Sequence, residues 1–272
     1  MSYIKLKDVN FKYNENVDVL IDINIEIEKG ESVAIVGQNG AGKTTMAKLM
    51  NGLLKPTSGD VLIGEINTKE VTAAKLSKNV GYVFQNPDEQ IFHNNVYKEI
   101  IFGLKRQNLS NEEIEERIQE SAKLVGIEDL LDENPYDLPL STRKFVTIAS
   151  VIAMKPEIII LDEPTAGQDK KGLEILELMI KKLINQQVTI LTITHDMEFV
   201  VNNFSRVIAM SQKRKIADGD TRDVFWDVET LEKGMLKQPQ MSRLSSKLNF
   251  SKPILNIDEI VNYLKEHIHT KS

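Results

Sequence analysis

Residues Gly37 to Thr45 read GQNGAGKTT, and this stretch constrains the chain more than any other. It fits the template Gly-x-x-x-x-Gly-Lys-Ser/Thr, with Gly37, Gly42, Lys43 and Thr44 at the fixed positions. Just before it, Ser32 to Val36 is short, apolar and partly β-branched, and predicts a buried strand. Just after it, Thr45 to Leu54 carries Met46, Leu49, Met50 and Leu53 at helical spacing. Strand, glycine loop and helix in that order form a phosphate cradle: glycines let the backbone wrap closely, so successive N–H groups point at phosphate oxygens. The positive end of the following helix adds to the same field. The candidate nucleotide-binding residues of the loop are Gly37, Asn39, Gly40, Gly42, Lys43, Thr44 and Thr45. Lys43 is expected against the β- and γ-phosphates, and the Thr44 hydroxyl is expected to ligate Mg²⁺.

What the nucleotide is for must come from the rest of the chain. Its 272 residues have room for one large α/β domain and a small appendage. A net charge of -6 argues against a nucleic-acid partner, and zero cysteines exclude disulfides and cysteine metal sites. No apolar run approaches the roughly 20 residues needed to cross a bilayer, and Met1 to Lys5 does not open a signal peptide. If the protein works at a membrane, something else must dock it there.

Taken in order, residues 3–9 alternate as a strand, and Phe11-Lys12-Tyr13 follows. Ile21, Ile23, Ile25 and Ile27 alternate with polar residues, the pattern of a half-buried strand. Further strands are expected at Asp60–Ile63 and Val80–Gln85. From about residue 86 to 154 the character turns helical: Ser110 and Glu113 open a helix with Ile114, Ile118, Ala122 and Val125 on one face, and Ser141–Met154 is a second helix. Strand patterns resume at Glu157–Glu163 and Val188–Thr194 with a helix between them, and a terminal hairpin follows at Arg206–Ser211 and Lys215–Ala217. The coarse architecture is a mostly helical insert in an α/β core. A tail from residue 221 to 272 has a polar middle and closes on a helix at Asn256–His269, with an apolar stripe of Ile257, Ile260, Val261, Leu264 and Ile268 and a capping box of Asn256 with Glu259.

Several strand ends carry polar residues. Ile158 to Glu163 is a buried strand ending in two carboxylates: with a phosphate loop upstream, Asp162 is the expected Mg²⁺-side acid and Glu163 a candidate base for the attacking water. Thr194-His195-Asp196 ends the next strand, and strand ends on one edge of a parallel sheet converge on the ligand, so His195 is a candidate γ-phosphate sensor. Gln85, also at a strand end, is placed to orient the water or a metal. No Asn-Lys-x-Asp motif is present, which disfavours a GTPase.

Over residues 1–220 these features resemble the ATP-binding cassette (ABC) ATPases. Tyr13 matches the aromatic that stacks on adenine, GQNGAGKTT the first nucleotide motif, Gln85 the Q-loop, IIILDEP the second motif with its catalytic glutamate, and His195 the switch histidine. Ala166-Gly167-Gln168-Asp169 looks like the D-loop, with Gln168 where leucine is usual. The resemblance implies an α/β fold of the P-loop NTPase type: a RecA-like core, an antiparallel β subdomain, a helical subdomain near residues 86–154, and a small C-terminal extension at 221–272. Gln85 to Phe92, then Val96 and Glu99 to Gly103, is similar to the energy-coupling-factor ATPases, which drive uptake of vitamins or transition-metal ions. That likeness implies a peripheral position on the cytoplasmic face of the membrane, ATP with Mg²⁺, and three partners. They are a second ATPase, a transmembrane scaffold gripped by the stretch after the Q-loop, and a substrate-capturing membrane subunit. In that family the C-terminal segment helps join the two ATPases.

One departure is large. The family's Leu-Ser-Gly-Gly-Gln signature is replaced by Leu138-Pro139-Leu140-Ser141-Thr142, with matching residues on both sides and no gap. The signature presents serine and glycine N–H groups and a helix N-terminus to the γ-phosphate held by the opposite subunit. Pro139 has no N–H, and Leu140 adds a side chain where the backbone must approach closely, while Ser141 or Thr142 offers partial substitution. The geometry therefore predicts an asymmetric heterodimer. The site built on Lys43, Gln85, Glu163 and His195 borrows the partner's signature, while the opposite site borrows LPLST and is impaired. A transport motor ranks first, ahead of a soluble ATPase in DNA repair or translation and a non-hydrolysing regulatory module.

Overall fold

The computed structural model describes residues 2–15, 17–248, 250 and 253–268, without the side chains of Leu264 and of residues 266–268. The β-branched alternation near the N-terminus becomes a pair of long antiparallel strands, β1 (Ser2–Asn14) and β2 (Val17–Glu28), in which Ile23, Ile25 and Ile27 face inward. β1 runs further than its alternation predicts, through Phe11-Lys12-Tyr13, because irregularities in its register let it keep pairing past Asp8. With β4 (Ser58–Ile63) and β5 (Ile66–Asn67) these strands form an antiparallel sheet ordered β2-β1-β4-β5.

The second sheet carries the chemistry. Its strands are β3 (Ser32–Gly37), β6 (Val80–Val83), β7 (Ile158–Asp162), β8 (Thr189–Ile193), β9 (Arg206–Ser211) and β10 (Arg214–Asp220), ordered β10-β9-β3-β8-β7-β6. All pairings are parallel except β9 with β10. Both β7 and β8 are buried at every position, as expected of parallel strands covered on both faces. Alternate side chains then feed two cores. Val33, Ile35, Ile158 and Ile160 pack toward the antiparallel sheet, α1 (Lys43–Met50) and Leu76, whereas Ala34, Val36, Ile159 and Leu161 pack toward most of the later helices.

Helix α2 (Ala73–Leu76) precedes β6, and the helical stretch between β6 and β7 is α3 (Val96–Leu104), α4 (Asn111–Leu124) and α5 (Leu140–Ala153). Ser110 caps α4 in a full capping box with Glu113, and Ile118, Ala122 and Val125 are completely buried. Helix α1 differs from its predicted span: it begins at Lys43 and stops at Met50. Gly52 turns left-handed (φ 76°) directly after Asn51 caps the end, so Leu53, although at helical spacing, lies outside the helix and half exposed.

Beyond α6 (Lys170–Asn185) and α7 (Met197–Asn203), the tail folds as α8 (Thr221–Trp226), α9 (Val228–Gly234), α10 (Gln240–Lys247) and α11 (Ile257–Ile268). Phe225 and Leu231 join the core beside Val207 and Ala209. Asn256 caps α11 through the Glu259 N–H, but Glu259 does not close the predicted box. Its carboxylate accepts from the Leu255 N–H and from Arg222. The predicted apolar stripe is not a buried seam: Ile257 and Val261 are exposed and Ile260 is half-buried, while His269 and the side chains of Leu264 and Ile268 lie outside the described residues. Among the described residues, no helix is long and apolar enough to cross a membrane.

Because Phe225 is fully buried in the main core, Phe225→Ala is expected to lower unfolding free energy by about 3–5 kcal/mol in urea denaturation. A loss below about 1 kcal/mol would show that α8 does not share that core's stability.

Candidate active site

The phosphate loop is held in shape by positions that only glycine fits. At Gly37 (φ 152°) an added Cβ would lie 2.3 Å from the Met210 carbonyl oxygen. At Gly42 (φ 98°) it would meet Leu20 Cδ2 at 2.6 Å and the Val19 oxygen at 2.8 Å. Gly42 caps α1 without a side chain and the first turn holds no acid, which leaves the helix's opening N–H groups available to an anion. Lys43, only 7% exposed, donates from Nζ to the carbonyls of Gly37 (2.7 Å) and Gln38 (2.9 Å). Burial pushes its pKa down, and the nearby Glu163 and Asp162 carboxylates pull it back up. Asn39 and Gly40 form the exposed rim of the loop. A cleft of about 260 Å³ opens here between Asn39, Gly40, Lys43, Thr44, Gln85 and Glu163. At its edge Tyr13 is 61% exposed, with its hydroxyl 3.4 Å from the buried Thr45 Oγ1 and its ring edge-on to Phe11.

The register of β7 against β8 pairs Asp162 with Ile193, and so brings the residues that follow each strand side by side. His195 Nδ1 lies 2.8 Å from Glu163 Oε2; the imidazole is largely exposed while Glu163 is buried. Asp162 is 2% exposed: Oδ2 accepts from the Tyr82 hydroxyl at 2.8 Å, and Oδ1 is buried with no hydrogen-bond partner among the described residues. Burial, then the Asp162 charge, raise the Tyr82 pKa strongly, so the phenol stays a donor. Among the described residues, no group of three or more His, Cys, Asp or Glu could hold a metal. Thr44, Gln85 and Asp162 therefore offer a sparse oxygen set, which suits Mg²⁺ bound mainly through phosphates and water, and the free Asp162 Oδ1 is an acceptor left over for it.

Gln85 is exposed and borders a second cleft of about 520 Å³, shared with Gln38, Asn39, Glu163, His195 and Lys237. Three residues of this neighbourhood escaped the motif reading. Tyr82 lies inside the strand expected at Val80–Gln85, Lys144 inside the helix expected at Ser141–Met154, and Lys237 in the polar part of the tail, so no motif marks them. Pro139, Leu140, Ser141 and Thr142 do not line either cleft. They form the N-terminus of α5, with Pro139 as its cap and no capping side chain, and Pro139 and Leu140 exposed. In the expected D-loop, Gln168 Nε2 donates to the Ser141 carbonyl (3.1 Å), and Asp169 caps α6 by accepting from the Gly172 N–H.

The family profile described as ABC transporter matches residues 20–166. The chain is 39% identical over 277 residues to the energy-coupling factor transporter ATP-binding protein EcfA of Methanocaldococcus jannaschii, covering 98% of this chain and 99% of that one. This chain belongs to the ABC transporter family, as an ATP-binding subunit of the energy-coupling-factor type. The same kinship appears in solved structures. The cbiO1 protein of Clostridium perfringens, described as part of the ABC transporter complex cbiONQ, superposes with a TM-score of 0.77 at 33% identity, over 92% of this chain and 99% of that one. A dimeric ATP-binding cassette in a post-hydrolysis state, bound to ADP and Pi, gives 0.73 at 29% identity, over 80% of this chain and 99% of that one. The chain thus has the cassette fold of an ATPase subunit coupled to transport, and its phosphate loop implies the use of ATP and Mg²⁺.

Tyr13 is the exposed aromatic at the cleft's edge, so Tyr13→Ala is expected to weaken ATP binding about tenfold, and Tyr13→Phe by less than twofold, measured by calorimetry with a non-hydrolysable ATP analogue. Unchanged affinity in Tyr13→Ala would remove the ring from the adenine site.

Proposed function

We propose that this chain is the hydrolytic half of an asymmetric ATPase pair driving an energy-coupling-factor importer of a vitamin or transition-metal ion. The observation that carries this reading is a contrast within one chain. Lys43, Thr44, Gln85, Glu163 and His195 line two clefts that share Gln85 and Glu163, with Asp162 buried next to Glu163, whereas the helix that should serve the partner's nucleotide begins Pro139-Leu140.

In this reading adenine stacks on Tyr13, and the β- and γ-phosphates lie on the loop N–H groups and Lys43. Thr44 and Gln85 hold Mg²⁺, with Asp162 acting through a water; the ion supplies charge neutralisation on the phosphates. Glu163 accepts a hydrogen bond from the attacking water and takes its proton as the oxygen adds to the γ-phosphorus and the bond to the ADP oxygen breaks. His195, bonded to Glu163 through Nδ1, keeps that carboxylate aimed and senses the γ-phosphate. The partner's signature closes this site. The opposite site receives Pro139, which has no N–H, and Leu140, 48% exposed where a backbone should approach a phosphate. Such a site holds ATP more readily than it hydrolyses it.

The partners in this proposal are a second ATPase with an intact signature, a transmembrane scaffold and a substrate-capturing membrane subunit, with this chain peripheral on the cytoplasmic face. Phe92 (76% exposed) and Phe102 (42% exposed), whose ring lies 5.2 Å from that of His93, give an apolar patch suited to a scaffold helix. A net charge of -6 supports the absence of nucleic acid among the partners.

Purification of the tagged chain from gently solubilised membranes is expected to recover a polytopic membrane protein and a second ATPase. Recovery alone, or with soluble proteins only, would favour a soluble or regulatory ATPase instead. Within the complex, Glu163→Gln is expected to stop transport, and the equivalent change in the partner to leave much of it. The reverse pattern would overturn the assignment of the hydrolytic site to this chain.

A further inference from the structure

Lys144 is 4% exposed on α5, just past the altered signature, and among the described residues no carboxylate is in hydrogen-bond contact with its ammonium. Nζ donates instead to two carbonyls of the loop after β7: Glu163 O and Ala166 O, each at 2.8 Å. An ammonium taken out of water needs strong compensation. Part of it comes from the fields of Glu163 and Asp162, which oppose the fall in its pKa that burial causes. The acceptor is unusual too. Glu163 has φ 51°, a left-handed conformation that is costly for a residue with a Cβ and persists only when its surroundings over-determine it. The Glu163 N–H donates to Ile193 O at 2.8 Å, and its carbonyl accepts from Lys144 and, at 3.3 Å, from the Ala166 N–H.

We propose that Lys144 is a positioning residue for Glu163. Its ammonium pins the carbonyls on either side of the turn, so the strained backbone is kept and the carboxylate stays directed at the attacking water. The proposal rests on the reading of Glu163 as the base, and it adds a role for α5 within its own subunit. The same helix is tied to this loop by Gln168 through the Ser141 carbonyl.

The test is a double-mutant cycle on the ATPase complex purified through a tag on the full-length chain, comparing wild type, Lys144→Met, Glu163→Gln and the double variant by single-turnover and steady-state hydrolysis. Glu163→Gln is expected to lower kcat at least about 100-fold, the scale of general base catalysis. Lys144→Met is expected to lower kcat about tenfold with KM for ATP within about twofold, and to cause no further loss in the Glu163→Gln background, because its effect passes through the missing carboxylate. Equal fold-losses in both backgrounds, or kcat within about twofold of wild type in Lys144→Met, overturn the proposal. Wild-type turnover in Glu163→Gln overturns the base assignment itself, a separate failure visible in that single variant. If Lys144→Met does not assemble, Lys144→Gln, which keeps an N–H donor without the charge, decides by the same comparison.

Discussion

The parallel register of β3, β8 and β7 is the constraint on which the rest of this molecule depends. It sets the C-terminal ends of three buried strands side by side, so that a glycine loop, a histidine and a pair of carboxylates meet although they lie far apart in sequence. Parallel strands can be held this way only if both faces are covered, and the two cores divide that task. The antiparallel sheet with α1 and α2 covers one face, and helices α3 to α9 cover the other. The site is therefore a consequence of how alternate side chains of β3 and β7 are shared between two hydrophobic clusters.

At that junction the molecule buries four charged side chains, Lys43, Lys144, Asp162 and Glu163. Their formal charges cancel, which is the condition for keeping such groups away from water. Each side chain is also held: Lys43 and Lys144 by backbone carbonyls, Asp162 by Tyr82, Glu163 by His195. One acceptor, Asp162 Oδ1, is left without a protein partner, at the strand end where the cation of a nucleotide complex is expected. Nucleotide binding thus enters an electrostatic balance that is already set rather than creating one.

Much of this was legible in the sequence because local pattern and tertiary role coincide. The apolar runs at Ser32–Val36 and Ile158–Leu161 are strands, the phosphate loop needs its glycines, and polar residues at strand ends can have few roles but a site. Legibility ended where the decisive partner is distant in sequence. Lys144 on an amphipathic helix has the look of a surface residue until its contacts to Glu163 and Ala166 are known. Leu53 keeps helical spacing past a glycine that ends the helix, and the stripe on α11 has the period of a buried face while Ile257 and Val261 stay exposed. Periodicity reports which residues share a face, and only the rest of the fold decides whether that face is covered.

The altered helix start at Pro139 and Leu140 makes the two nucleotide sites of a dimer unequal in this account, one built to hydrolyse and one to hold. The most direct measurement is a nucleotide count. The purified complex is loaded with ATP and Mg²⁺, allowed one turnover, rapidly desalted, and its bound and released nucleotide quantified per ATPase pair. One ADP is expected for each ATP retained intact. Two ADP per pair would contradict it, because both sites would then hydrolyse despite the lost signature.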